Sequence, residues 1–272
     1  MGLLRILTLV VCFTGLFFLP APARAQTDLG WDAPAIGEAF HVELMGGLWN
    51  PTPTIFASSE EFGIPATNID FGRDLGLVRK RTGEMRLVLR PGRKHKFRIQ
   101  YVPLQYQQQA VLERQIVFRG IAYNIGIPVS STLRWDTWRL GYEYDVVAQD
   151  RWFLGLILEA KYTQMEAALD SAFANEYARA RGPIPAIGGI GRVYVTPYTP
   201  ITVEVTGFKW PQSLDDSFKA EYIDLDVYGT FNVTNNFGVQ VGYRSIDLNY
   251  LADRDTGNLQ LEGMYFAGLV RF

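Results

Sequence analysis

The last stretch of the sequence, Tyr265-Phe-Ala-Gly-Leu-Val-Arg-Phe272, decides the fold class of the chain. Every second residue from Met264 onward lies on one face and is apolar or small: Met264, Phe266, Gly268, Val270 and Phe272. Side chains of a β-strand alternate between the two faces of a sheet, so this spacing predicts a strand. A soluble two-sheet sandwich or lipocalin-like barrel gives no reason to end a chain on an exposed aromatic side chain.

The same alternation recurs from residue 38 to the C-terminus in about ten segments. They begin near residues 40, 84, 96, 138, 154, 192, 201, 223, 239 and 264. Strand-favouring aromatic residues are frequent, with 17 Phe, 14 Tyr and 6 Trp. No helical heptad or long amphipathic stretch follows residue 26. The chain is predicted to be all-β and antiparallel, with about ten strands; 8 and 12 are the alternatives.

The connections between these segments alternate between short and long. Short connections rich in turn residues lie near 91–94, 147–151, 197–200 and 234–236. Longer ones are expected near 50–83, 108–131, 170–184, 212–217 and 252–258. An up-and-down barrel with short turns at one end and long loops at the other has this rhythm. It places both termini at the short-turn end, which requires an even number of strands.

Taken together, the sequence resembles bacterial outer-membrane β-barrel proteins over residues 38–272. The terminal strand carries the resemblance most specifically, because the class typically ends in Phe with apolar residues at every second position before it. Rows of Trp and Tyr near the segment ends resemble interfacial girdles. The resemblance implies a transmembrane barrel in contact with outer-membrane lipids. It also implies that Met264, Phe266, Val270 and Phe272 form the signal for the outer-membrane assembly machinery.

The first 25 residues have the pattern of a secretory signal. Arg5 precedes an apolar run from Ile6 to Leu19, and Ala23-Arg-Ala25 offers small residues for cleavage after Ala25. The run is shorter than the roughly 20 residues of a membrane-spanning helix, which makes a signal anchor the weaker alternative. Lipid attachment at Cys12 is weaker still, because Val11 is large for such processing. We expect a signal peptide at 1–25, a short periplasmic segment at 26–37 and a barrel at 38–272.

Charge and cysteine content exclude several classes of function. The formal net charge is −2, with no concentrated basic stretch of the kind that nucleic-acid binding requires. Cys12 is the only cysteine and lies in the predicted signal, so a disulfide or thiolate site is not expected. No His/Asp/Glu spacing predicts a metal site, and no glycine-rich phosphate loop is found. No cofactor is predicted.

If the apolar face meets lipid, the opposite face lines the barrel interior. The charged residues predicted there are Glu43, Arg86, Arg98, Arg139, Glu143, Glu159, Lys161, Arg192, Glu204, Asp224, Asp226 and Arg244. Six acids face six bases in a lumen that about ten strands make narrow. Such charges tend to pair at close quarters. A closed polar core is therefore the first interpretation, and a narrow pore or ligand pocket is the second.

Catalysis has little support in the sequence. The only histidines, His41 and His95, fall near the predicted periplasmic rim, whereas enzymes of this class carry their reacting groups near the outer leaflet. The adjacent carboxylates Asp215 and Asp216 are expected to be solvated loop residues. We therefore predict no catalytic residues.

Two further segments have local predictions. Ile69–Leu77 is expected to form a packed loop rather than an extra strand. The glycines of Pro183–Gly191 would permit a bend or make room for neighbouring side chains.

The resulting hypothesis is a non-enzymatic barrel acting through its external loops or a narrow charged lumen. A solute or ion pore, a hydrolase or acyltransferase, and an adhesin remain open.

Overall fold

The computed structural model describes residues 34–59, 66–171, 175–210, 218–252 and 255–272. The predicted signal peptide, the loop at 212–217 and Asp215-Asp216 lie outside these ranges. The described residues form strands and connections, with no helix long and apolar enough to span a membrane. They contain fourteen strands: β1 (Val42–Trp49), β2 (Thr52–Ser59), β3 (Ile69–Asp70), β4 (Thr82–Gly92), β5 (His95–Val111), β6 (Ile116–Phe118), β7 (Ile121–Tyr123), β8 (Pro128–Ala148), β9 (Trp152–Ser171), β10 (Asn175–Thr196), β11 (Thr199–Lys209), β12 (Phe218–Asn232), β13 (Phe237–Ala252) and β14 (Asp255–Arg271).

Ten of these strands close into an antiparallel barrel in the order β1-β4-β5-β8-β9-β10-β11-β12-β13-β14, with β14 pairing back to β1. This confirms the predicted fold class and strand number. The closure extends to the last residue, because the backbone N–H of Phe272 donates to the carbonyl of Val42 and the N–H groups of His41 and Val42 donate to that of Phe272. A closed barrel has no free strand edge, which is what hydrocarbon requires of a spanning sheet.

The barrel has two distinct ends. Four short connections, after β4, β8, β10 and β12, lie at the same end as residues 34–41 and Phe272. We call this the turn end and the opposite one the loop end. The positions of these four short connections agree with the sequence prediction.

Several predicted loops at the loop end are strands instead. The loop expected at 170–184 is wrong, because β9 continues to Ser171 and β10 begins at Asn175. The loop expected at 252–258 is wrong for the same reason, since β13 reaches Ala252 and β14 begins at Asp255. Most of these extra residues pair with a neighbouring strand, so their backbone N–H and C=O groups are hydrogen-bonded. This pairing does not require the alternation of apolar and polar side chains from which the strands are predicted.

The first long connection also contains a strand. After a break at Asn50-Pro51, β2 continues along the same edge of β14 that β1 occupies, pairing Thr52–Ser59 with Asp255–Glu262. The two-residue strand β3 pairs with β2. The connection at 108–131 is likewise shorter than expected and contains the hairpin β6-β7.

A belt of exposed apolar side chains surrounds the barrel. Its members include Leu44, Leu48, Met85, Leu89, Phe97, Ile99, Trp138, Leu140, Tyr144, Leu154, Leu156, Leu158, Tyr162, Ile187, Val205, Phe231, Val239, Val241, Tyr243, Met264 and Phe266. Contiguous apolar surface of this extent is unfavourable in water and fits the hydrocarbon of a bilayer.

Aromatic rings mark one boundary of this belt. The rings of Tyr101 and Trp138 stack with centroids 4.5 Å apart, and Tyr162 lies beside Trp138 on the next strand. Aromatic rows of this kind sit at membrane interfaces, where one side of the ring is apolar and the other is hydrated. We call Tyr101, Trp138 and Tyr162 the girdle. Beyond it, the outward side chains of β8 and β9 become polar, which places these strand ends outside the hydrocarbon.

At the loop end, an apolar core fills the barrel interior and two segments cover it. We call residues 66–77 and 112–127 the cap. Its buried apolar side chains join those of the barrel wall in one cluster: Ile69, Phe71, Leu75, Leu77, Leu112, Ile116, Phe118 and Tyr123. The two cap segments are joined by Thr67, whose N–H donates to the carbonyl of Val117 and whose hydroxyl accepts from the Val117 N–H, both at 3.0 Å. The 69–77 segment is thus a packed loop that begins with the short strand β3.

Candidate functional site

The lumen between the girdle and the turn end is filled by charged side chains. Eleven of the twelve residues predicted to line it are buried, and the side chain of Arg192 is 12% exposed. They project inward from the barrel strands because they alternate with the apolar belt residues on the same strands. The structure therefore brings the predicted set together in one interior network.

One part of the network crosses the lumen. Arg98 on β5 donates from Nη2 to Glu204 Oε2 on β11 at 2.5 Å and from Nη1 to Glu143 Oε2 at 3.3 Å. The hydroxyl of Tyr228 donates to the other oxygen of Glu204 at 2.5 Å. Since β5 and β11 are four strands apart in a barrel of ten, this contact closes the lumen from wall to wall.

A second part ties together the β8–β9 wall and β12. Arg139 contacts Glu159 at 3.0 Å and Asp224 at 2.9 Å. Lys161 contacts the same two carboxylates at 3.0 and 3.3 Å and donates to the hydroxyl of Thr206 at 2.9 Å. Two cations shared by two carboxylates satisfy one another, which is the condition for burying charges without a large penalty.

A third part lies around Arg244 on β13. Its guanidinium donates to Glu84 at 2.7 Å and to Asp226 at 2.9 Å. The hydroxyl of Tyr265 donates to Asp226 at 3.0 Å and accepts from Gln240 at 2.7 Å. Glu43, in turn, accepts from Arg271 at 2.6 Å beside the barrel closure.

The N-terminal segment closes the turn end. Glu38 accepts from Arg192 and from the hydroxyl of Tyr194, both at 2.9 Å, and from Arg90 at 3.3 Å. Burial alone would raise the pKa of Glu38, but the positive charge of Arg192 and its neighbours outweighs it and lowers the pKa to about 2. The carboxylate is therefore charged at neutral pH and anchors residues 34–40 in the mouth of the barrel.

Very little space remains inside the network. The cavity bounded by Phe40, Arg86, Arg98, Arg192 and Glu204 has a volume of about 20 Å³. That is room for about one water molecule. The paired charges are chemically suited to holding the barrel wall together.

The predicted lumen set omitted several members of this network: Glu38, Glu84, Lys96, Gln100, Asp145, Gln240 and Arg271. Lys96 and Asp145 alternate with predicted lumen residues, so the same spacing could have found them. Lys96 contacts Glu143 at 2.6 Å and Asp145 at 3.0 Å. Glu38 precedes the first strand, and no periodicity could have located it.

Both histidines lie at the turn end. His95 is exposed, and its Nδ1 lies 2.7 Å from the Tyr142 hydroxyl. His41 is exposed, and its Nδ1 lies 3.2 Å from the backbone carbonyl of Arg90. In the described contacts, neither histidine meets a carboxylate that could orient it as a base.

A wide opening lies at the turn end, next to the network. It has a volume of about 480 Å³ and is bounded by Glu38, His41, Arg93, Asp150 and Phe272, among others. Glu38 and Phe40 lie between this opening and the charged network, and Phe40 lines both the opening and the lumen cavity described above.

Comparison with known proteins gives the fold a context. No protein-family model matches the sequence, and no curated protein matches it. Among solved structures, the outer-membrane protease OmpT of Escherichia coli aligns with a TM-score of 0.57 at 10% identity, covering 89% of this chain and 99% of that one. The chain has the fold of a bacterial outer-membrane β-barrel.

Other outer-membrane barrels align less closely. The transport unit of the autotransporter AIDA-I of Escherichia coli has a TM-score of 0.43 at 8% identity, covering 94% of this chain and 93% of that one. The toluene transporter TodX of Pseudomonas putida has a TM-score of 0.36 at 8% identity, covering 85% of this chain and 90% of that one. A fold alone does not determine an activity.

Proposed function

We propose that this outer-membrane barrel is a closed, non-enzymatic binding protein whose task is performed outside the cell by its loop end. The observation that carries the proposal is the filled interior. Arg98 and Glu204 meet across the lumen at 2.5 Å, and the apolar core and its cap fill the space above them. A barrel filled at both levels is better suited to displaying a surface than to passing a solute.

The location belongs to the same proposal. A predicted secretory signal at 1–25, the apolar belt and the fold support the bacterial outer membrane, reached through the barrel assembly machinery. The turn end would then face the periplasm and the loop end the exterior. Outer-membrane lipids are the partners that the belt requires.

The loop end offers a rigid surface for binding. Beyond the girdle, β5 and β8 remain paired up to Val111 and Pro128. Their outward side chains there include a group of amides and hydroxyls: Gln105, Gln107, Gln109, Ser130 and Thr132. Paired strands hold such groups in fixed positions, so binding a partner would cost little conformational entropy at this surface.

An enzymatic role has less support. Its candidate bases, His41 and His95, lie at the end that the proposal assigns to the periplasm, and each contacts only a carbonyl or a tyrosine hydroxyl. The proposal therefore assigns no catalytic residue.

Two measurements test the proposal. Purified protein in planar bilayers should show no discrete conductance. Stable channels in the wild-type protein would identify it as a pore instead.

The second measurement addresses binding. Replacing residues 113–126 with a short Gly-Ser turn should abolish attachment of expressing cells to other cells or surfaces while the barrel keeps its heat-modifiable mobility. Unchanged attachment would contradict a role for the cap.

A further inference from the structure

A basic surface lies on the outer wall just beyond the girdle. It consists of Lys80, Arg81, Arg134, Arg179 and Arg181, all exposed, and we call it the basic band. Two open grooves run along it, with volumes of about 520 and 310 Å³. Both grooves are bounded by Arg134 and Asp136, so they form one continuous surface across β8.

The strand register fixes the height of this band relative to the membrane. Trp138 and Tyr162 of the girdle pair with each other. One step further along the same face, Asp136 and Gln164 pair, and Gln164 pairs with Arg181. In the next step Glu166 pairs with both Arg134 and Arg179.

Each step of two residues advances about 7 Å along a strand. The headgroup layer of a leaflet is about 5–8 Å thick, taken as half the difference between the full bilayer and its hydrocarbon core. Because the strands are tilted, both rows of arginines lie within or immediately beside that layer. The height of the basic band therefore matches that of lipid headgroups.

The guanidinium groups in the band are held in place. Arg134 donates from Nε to Asp136 at 2.6 Å, and Arg179 donates from Nε to Glu166 at 2.7 Å. Arg179 also lies over the ring of Tyr177, 4.8 Å from its centroid. The side chains of Arg134 and Arg179 nevertheless remain 60% and 64% exposed. In both arginines a carboxylate holds the Nε side of the guanidinium group, and the rest of the group is open to a ligand.

The charge balance of the band favours an anion. Five cations face only two carboxylates, Asp136 and Glu166, and each carboxylate is already paired with an arginine of the band. Guanidinium groups bind phosphate oxygens through paired, charge-assisted hydrogen bonds. We propose that the basic band binds the phosphate of a phosphorylated lipid headgroup in the leaflet around the loop end.

A lipid suits the band better than a free phosphate because the band continues directly from the apolar belt. Acyl chains would lie against Trp138, Leu140 and Tyr162, all exposed below it. The same molecule would then bury apolar surface and neutralise charge, whereas phosphate from solution would gain only the second contribution.

The test uses fluorescence from Trp138, which lies immediately below the band. Full-length protein carrying Trp31→Phe, Trp152→Phe and Trp210→Phe, in which the remaining Trp49 and Trp135 are buried, is folded into phosphatidylcholine vesicles containing brominated phosphatidic acid, and quenching is compared with that by brominated phosphatidylcholine. We expect the phosphatidic acid around Trp138 to be enriched about fivefold over its bulk fraction, the factor that one cation near an anionic surface contributes. Arg134→Gln with Arg181→Gln should return this ratio to about one.

Matched controls separate this contact from general charge effects. Lys209→Gln with Lys219→Gln removes the same charge from exposed positions on β11 and β12, away from both grooves, and should leave the enrichment unchanged. No enrichment in the wild-type background, or equal loss in both double variants, would overturn the proposal. Loss of the enrichment on adding millimolar inorganic phosphate would also overturn it, since the band would then take phosphate from solution.

Discussion

Arg98 and Glu204 hold opposite walls of the barrel together through a contact of 2.5 Å between Nη2 and Oε2. Both side chains are buried, and Arg98 also contacts Glu143 at 3.3 Å. Removing one partner of a buried ion pair leaves an uncompensated charge, which costs about 3–5 kcal/mol. Arg98→Ala should therefore lower the free energy of unfolding in vesicles by that amount, measured by urea titration of the heat-modifiable form.

The control for this variant is an ion pair of the same chemistry at the surface. Arg93 contacts Asp150 at 3.1 Å at the turn end, with both side chains largely exposed. Such pairs contribute about 0–1 kcal/mol. If Arg98→Ala destabilises the barrel no more than Arg93→Ala does, the lumen network is not what holds the walls together.

The Glu38 contacts predict how stability responds to acid. The pKa of Glu38 is about 2, below its ordinary value of 4.5, because Arg192, Lys96 and Arg90 outweigh the effect of burial. A depressed pKa means that the stabilisation is complete above about pH 4.5 and is lost as the pH falls through about 2. The contribution is on the order of 3 kcal/mol.

The variant Glu38→Gln should remove this contribution at neutral pH and flatten the pH dependence of unfolding between pH 4.5 and 2. Thermal loss of the heat-modifiable form, followed as a function of pH, measures both effects. Glu113→Gln, an exposed carboxylate of the cap, serves as the control. A wild-type and a Glu38→Gln curve that stay parallel over this range would show that Glu38 does not anchor the segment.

The two-residue alternation of apolar and polar side chains predicted most of the fold, because lipid on one side of the wall and a polar lumen on the other favour opposite side-chain chemistry at successive residues. Positions such as Arg139 and Leu140 therefore revealed their faces from sequence alone. The Glu38 contacts could not be found in this way, because residues 34–40 are not part of a strand and reach the network through the fold of the whole barrel.

The part of β10 predicted as a loop includes a proline. Pro183 lies in the predicted loop at 170–184 and Pro185 just after it, yet both lie in a strand and pair with Tyr162 and Ala160 of β9. Pairing of β10 with β11 begins only at Ile187. The stretch before Ile187 therefore pairs with β9 on one edge only. A proline lacks the backbone N–H, and it is tolerated there because the unpaired edge needs no N–H donor. The sequence shows the prolines, but it does not show the strand register in which they are tolerated.

A close approach between β10 and β11 explains one glycine of the same segment. A Cβ atom at Gly188 would lie 1.9 Å from the carbonyl oxygen of Val205 and 2.7 Å from the Cα of Thr206. Both obstacles are backbone, so no side-chain rearrangement relieves them. Gly188→Ala should separate the strands and destabilise the barrel by about 1–3 kcal/mol, the usual cost of overpacking.

The neighbouring Gly189 provides a matched control, because a Cβ there would meet its first neighbour, the carbonyl oxygen of Gly155, at an ordinary 3.6 Å. Urea titration of the two alanine variants should separate them, with Gly189→Ala close to wild type. Equal stability of the two would mean that the approach at Val205 is relieved by a small backbone shift.

The cap is fastened by Arg114, which donates from Nε to Asp74 Oδ1 at 2.8 Å and from Nη2 to the carbonyl of Asn68 at 2.8 Å. The Arg114 hydrogen bonds lower the pKa of Asp74, so this fastening is present at neutral pH and is lost as the pH falls through the lowered pKa. Arg114→Ala should loosen the cap without unfolding the barrel. Because an exposed pair contributes up to about 1 kcal/mol, chymotrypsin should cleave after the buried Phe118 or Tyr123 up to about fivefold faster.

The control is Arg73→Ala, at an exposed neighbour whose backbone N–H rather than side chain contacts Asp70, and it should leave the cleavage rate unchanged. Equal cleavage of wild type and Arg114→Ala at pH 7 would mean that the apolar packing of the cap holds it closed without this pair.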